Sequence, residues 1–127
     1  MSIKEKIRLA TDLGSEVVEV EEWGVRIEVR SMSARQRTAL QTLINDEAVP
    51  QAERQEQMWA FLLTTCCFDP ENGEVVFTEE DMDWLFTQKA FGPIDRLATS
   101  CLNVSAVLKT NADELGKSSS ATPTSAG

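Results

Sequence analysis

At 127 residues, with 42% hydrophobic and 26% charged residues, the chain has the length and composition of one globular domain. Twelve Lys+Arg against 21 Asp+Glu leave a net charge of −9, which opposes phosphate-driven nucleic-acid binding and attraction to anionic membranes. Histidine is absent, and with it the usual general base near neutral pH and the commonest zinc ligand.

Residues 2–13 place Ile3, Ile7 and Ala10 at helical spacing among Lys4, Glu5, Lys6 and Arg8. This predicts a short, weakly amphipathic helix ended by Gly14, within an N-terminal arm of residues 1–15. Residues 16–30 carry the clearest strand signal. Val18 and Val20 alternate with Glu19 and Glu21, and Val25, Ile27 and Val29 alternate with Arg26, Glu28 and Arg30. Trp23-Gly24 lies between the runs, where glycine can take the positive φ of a tight reversal. An antiparallel hairpin is expected, its valine face needing cover and its other face pairing Glu19 and Glu21 with Arg26 and Arg30.

The cover is expected from helices. Ser33 with Gln36 reads as a capping box, followed by a stripe of Leu40, Leu43 and Ile44 up to about Asn45. From Gln51 a second helix places Met58, Phe61, Leu62 and Thr65 on one face. Trp59, Leu63 and Cys66 widen that face until the helix is apolar nearly all round, the mark of a central, buried element. Asp69-Pro70-Glu71-Asn72-Gly73 is a dense turn signal and Val75 to Phe77 a short extended piece. Thr78 then caps a helix with acids in its first turn and Met82, Leu85 and Phe86 on its core face. Phe91-Gly92 breaks it, and Pro93 suits N1 of a last helix striped by Ile94, Leu97, Ala98, Cys101, Val104 and Leu108. Residues 116–127, GKSSSATPTSAG, are too small and polar to order themselves. The expected fold is α+β and mainly α: an N-terminal antiparallel β-hairpin packed on about four helices. Residues 16–112 form the single folded domain and residues 113–127 a disordered C-terminal tail.

No element offers chemistry. Cys66, Cys67 and Cys101 are odd in number with an adjacent pair, so reduced, apolar cysteines of a soluble intracellular protein are expected rather than a disulfide framework. Residues 1–6 carry charge with no apolar core after them, so no signal peptide is expected, and the nearly apolar run 58–68 is too short to span a bilayer. The stretch from Asp69 to Glu80 mimics a calcium loop, but Gly73 occupies a ligand position and Glu74 the position where the turn needs glycine. A turn followed by a capped helix is the better reading. Arg26, Arg30, Arg35 and Arg37 read as a solvated or paired cluster, and Glu79, Glu80, Asp81 and Asp83 as a helix start without a catalytic partner. The tail hydroxyls have no base to activate them. No catalytic residue, cofactor or metal ligand is expected, and the chain is not expected to be an enzyme.

The candidates that remain are aromatic. Trp84 stands about 200° round its helix from Met82, off the core face, as a side chain wedged against a neighbour or left for a partner. Trp23 at the hairpin reversal and Phe91 at the helix break complete the candidate partner-binding set, whereas Trp59 reads as core.

The order of these elements carries a resemblance. An acidic strand ending in Glu21-Glu22-Trp23-Gly24 is followed by a second strand and Ser33-Ala34-Arg35-Gln36. A helix then leads into the block from Cys66 to Met82, and an amphipathic helix runs to Asn103. This pattern, over roughly residues 16–108, resembles the tail assembly chaperones of long-tailed, siphovirus-type bacteriophages. The resemblance implies a non-catalytic protein of the infected host's cytoplasm, absent from the mature virion. Its implied partners are the tape measure protein, which it keeps soluble, and tail tube subunits, which it helps to recruit. Several copies on one long chain imply self-association. It also suits a programmed frameshift near the gene's end, for which the C-terminal tail would serve as linker. The alternative is a structural tail or connector protein of the virion.

Overall fold

The computed structural model describes residues 1–105. Five helices and three strands follow in order: α1 (Ile3–Leu9), β1 (Ser15–Val20), β2 (Val25–Arg30), α2 (Ala34–Ile44), α3 (Gln51–Cys66), β3 (Cys67–Phe68), α4 (Met82–Gln88) and α5 (Phe91–Val104). The architecture is α+β and mainly α, as the periodicities require.

The sheet runs β1-β2-β3, antiparallel throughout. The hairpin register pairs Val18 with Ile27 and Val20 with Val25, which puts these residues and Val29 on one face and leaves Val17, opposite Glu28, on the other. Val20, Ile27 and Val29 are buried there, and Cys67 joins them opposite Val29. β3 begins at the residue after α3 ends, with no intervening loop. On the outer face the register sets Glu19 across from Arg26. The ion pair that forms is a different one: Arg30 bonds Glu28 on its own strand at 3.1 Å, while its guanidinium lies 4.0 Å over the Phe68 ring. The third strand redirects Arg30 by offering it a ring face.

The inner face is covered by α5 and α3. Leu62 and Leu63 of α3 and Leu97 and Cys101 of α5 are fully buried, with Cys66 and Cys67 completing the layer. Trp59, expected as core, is half-buried. The Cys101 thiol donates to the Leu62 carbonyl at 3.7 Å, and all three cysteines are free and buried. Met32 N–H donates to Ser105 Oγ at 2.9 Å, which ties the end of α5 to the link between sheet and α2. Arg54 reaches from α3 to the Ile44 carbonyl at 3.1 Å and so satisfies an orphan acceptor at the end of α2.

Caps set the helix starts. Ser33 Oγ accepts from Gln36 N–H at 3.2 Å, and the Gln36 side chain accepts from Ser33 N–H at 2.9 Å. α5 begins two residues before Pro93, so proline sits third in the first turn; its missing N–H costs nothing there, since first-turn donors have no intrahelical acceptor. α1 is shorter than the sequence suggests. It stops at Leu9, where Ala10 turns extended, and Gly14 instead accepts from Ser31 N–H at 2.9 Å and lengthens the hairpin pairing. No residue of α1 is buried. The expectations for Leu108, for a domain reaching residue 112 and for a tail at 113–127 fall outside the described residues.

Candidate partner-binding cleft

The hairpin reversal and the start of α4 stand beside each other and enclose an open cleft of about 1200 Å³. On the hairpin side, Glu21–Trp23 forms a 3-10 turn closed by Gly24, whose φ of 66° falls in the left-handed region that glycine adopts without penalty. The turn aims Trp23 at Phe77; the ring centroids are 6.5 Å apart and the planes 76° from parallel, an edge-to-face arrangement. On the opposite side, Thr78 caps the turn that leads into α4. Asp81 Oδ2 accepts from Thr78 N–H at 2.9 Å, and Asp81 Oδ1 accepts from Trp84 Nε1 at 3.2 Å. One carboxylate therefore fixes both the helix start and the indole. The Thr78 N–H, and after it the indole N–H, hold the Asp81 carboxyl below its ordinary range.

Between these walls lies the turn that the sequence offers as a calcium mimic. Asp69 Oδ1 accepts from Glu71 N–H and Asn72 Oδ1 from Glu74 N–H, both at 2.8 Å, and Gly73 takes φ 76°. The polar side chains at the first and fourth positions of the apparent loop are therefore engaged in shaping a turn. Among the described residues no group of acids and cysteines is arranged to hold a metal ion.

The cleft has an apolar floor and an acidic rim. Val25, Val76, Phe77 and the two indoles form the floor, with Trp84 39% and Val25 45% exposed. Glu19, Glu21, Glu22, Asp69 and Glu71 line the rim, against Arg26 and Lys89. Glu22 is tied to α5 by a two-pronged contact with Arg96, whose Nη1 donates to Oε2 at 2.9 Å. That contact, reinforced by the backbone, lowers the Glu22 carboxyl to about 2, so it stays charged wherever the protein works.

The structure brings two of the three candidate residues together. Trp23 and Trp84 line the same cleft. Phe91 does not; it stacks edge-on against Trp59 at 5.5 Å and remains 65% exposed, in a second aromatic patch that includes Phe86. Sequence reasoning missed Val25 and Phe77 as floor residues and treated the hairpin glutamates only as cross-strand partners. The legible signal was the clustering of Glu19, Glu21 and Glu22 beside an aromatic at a reversal. The thiols of Cys66 and Cys101 are held toward the protonated form: contact with Cys101, then burial, raises Cys66, while at Cys101 the lowering contact with Cys66 is outweighed by Cys67 and burial.

Known proteins share the fold. The chain is similar in structure to the tail assembly chaperone of bacteriophage HK97, with a TM-score of 0.58 and 19% identity over 80% of this chain and 95% of that one. At that identity the likeness is one of fold. No curated protein matches the sequence. The family model described as phage tail assembly chaperone matches residues 9–118, a span wider at both ends than the resemblance read from the motifs. The chain belongs to the phage tail assembly chaperone family.

Proposed function

We propose that this chaperone binds the tape measure protein in the host cytoplasm during tail assembly, shields its apolar helical stripe and helps bring tail tube subunits to it. It then leaves before the virion is complete. Membership of a chaperone family points to a non-enzymatic role, and no helix among the described residues is long and apolar enough to cross a membrane. The observation that carries the reading is the cleft: an aromatic and aliphatic floor inside an acidic rim. An amphipathic partner helix with basic residues beside its apolar stripe meets both features. The net charge of −9 keeps the loaded complex from aggregating. Trp84 and Trp23 are the proposed anchors, and Phe91 a second contact for a long partner that runs on past the cleft. Several copies on one chain would also contact one another.

Co-expression with the tape measure protein tests this directly: the soluble yield of the partner should rise. Trp84→Ala should weaken binding by about 2 kcal/mol or more if the indole is a hot spot. Its cost in stability should stay below the ~3–5 kcal/mol of a core aromatic, because the ring is part-exposed. Unchanged binding with a core-sized loss of stability would remove Trp84 from the surface. Failure of the intact chain to solubilise its tape measure protein would remove the reading.

A further inference from the structure

The sheet has two edges, and they are finished differently. β3 is two residues long, and Val75 bridges to Phe68 beside it, so little of that edge is left open. β1 is six residues long, and its register with β2 runs unbroken from the pair of Ser15 and Arg30 to the pair of Val20 and Val25. Ser31 N–H donates to the Gly14 carbonyl at 2.9 Å, which marks the next pair along as a hydrogen-bonded one. Every second pair therefore shares the ladder bonds: Glu16 with Val29, and Val18 with Ile27. Ser15, Val17 and Glu19 fall between them and direct their N–H and C=O groups away from β2. All three are exposed, Val17 by 48%, and among the described residues no strand pairs with them on that side.

An open edge is normally blunted by lysine, proline, a bulge or brevity. β1 has none of these, and its guard is charge of a single sign. Glu16 stands on the face that carries Val18 and Val20, Glu19 on the opposite face, and neither enters an ion pair among the described residues. β1 has no basic residue, so pairing it with a second copy would gather four carboxylates at one seam without a cation. A wholly apolar strand would set both carboxylates against hydrocarbon. We infer that the free edge of β1 takes an extended segment of a partner protein as an added antiparallel strand, with lysine or arginine opposite Glu16 and Glu19 and β-branched residues opposite Val17 and Val18. Ser15, Val17 and Glu19 each exchange two main-chain hydrogen bonds with it, and the cations supply the selectivity. The edge adjoins the cleft, whose lining includes Glu19 and Val20, but the two surfaces ask for different conformations. The cleft takes a helix; the edge takes a strand, and so gives the chaperone a hold on chain that is not helical.

Amide exchange followed by NMR on the full chain tests the contact, with the end-blocked peptide Thr-Lys-Val-Val-Lys-Thr as probe. In the free chain the amides of Ser15, Val17 and Glu19 should exchange fast, and those of Glu16 and Val18 slowly. Saturating peptide should slow the first three at least tenfold. In the inferred register the peptide's second valine faces Val17 and points its N–H at β1, while the first points its N–H away. Methylating the second valine's nitrogen should weaken binding at least tenfold, and methylating the first should change it little. Val17→Pro removes only an outward donor, at a place where an edge strand admits proline, so the variant should keep its circular dichroism and lose the peptide. Glu16→Lys should weaken binding at least tenfold as well. If Val17→Pro fails to fold, the two methylated peptides decide the matter. Peptide that does not bind, binding that both methylations weaken equally, or a folded Val17→Pro that binds like wild type would each overturn the inference. So would slow exchange of the three amides in dilute chain alone, which would mean that the chain covers its own edge. Slowing that follows protein concentration without peptide would assign the edge to a second copy and overturn it too.

Discussion

Helices α1 and α5 carry the same kind of message and meet opposite fates. Each spaces apolar residues three or four apart: Ile3 and Ile7 in one, Ile94, Leu97, Ala98 and Cys101 in the other. The α5 stripe is buried from Ile94 to Cys101, and the α1 stripe is wholly exposed. The difference lies in what each could cover. The sheet has one apolar face, and α5 and α3 fill it. Its other face carries Glu19, Arg26, Glu28 and Arg30, with Val17 the one aliphatic residue among them, too little to receive an aliphatic stripe. Periodicity therefore says which side of a helix wants cover, and only the inventory of complementary faces says whether the same chain supplies it.

The sharpest break of this contrast is Leu97→Ala. Leu97 is fully buried, and its truncation should cost about 2–5 kcal/mol in a denaturant titration, depending on how far the sheet and α3 relax into the gap. Ile7→Ala should stay within about 0.5 kcal/mol in dilute, monomeric protein. The two capping boxes sharpen the same point with matched chemistry. Ser33→Ala should lower global stability by about 1 kcal/mol, since α2 is fastened to the core through Leu40 and Arg54. Ser2→Ala should fray α1 in amide exchange and leave the denaturation midpoint where it was. The smallest effect is electrostatic and belongs to α5 alone, through Arg96. Glu22 falls from an ordinary 4.5 to about 2 in the folded chain, so the pair stabilises above pH 4.5 and loses its effect as pH falls toward 2. The melting-temperature gap between wild type and Glu22→Gln should be present at pH 6 and close by pH 2. Both side chains are about half exposed, so the gap should also shrink in high salt.

Much of the fold was legible because its signals are local. Alternation over residues 16–30 specifies a hairpin, Ser33 with Gln36 specifies a helix start, and the apolar second half of α3 marks the centre. β3 was not legible, since two residues show no alternation and Cys67-Phe68 reads as the end of a helix. Its pairing with Val29 and Glu28 is a long-range fact, settled by where α3 delivers the chain. The cleft was half legible. An indole 200° off the core face announces Trp84, whereas Phe77, Val25 and the glutamates join it only once the hairpin turn and α4 come together. Phe91 was singled out by its place at the helix break, and nothing local announced its contact with Trp59.

The direct passage from α3 into β3 fixes the chain's length at that point. One residue inserted between Cys66 and Cys67 would either turn the helix end by about 100° or exchange the inward and outward faces of the strand. Either change would move Cys67 off Val29 and Phe68 away from Arg30. A few residues on, Glu71, Asn72 and Gly73 are exposed and bounded by their own turn, where added chain has room to loop out. Insertions that enlarge or reshape the cleft are thus accommodated on its 69–74 edge, while the neighbouring junction admits none.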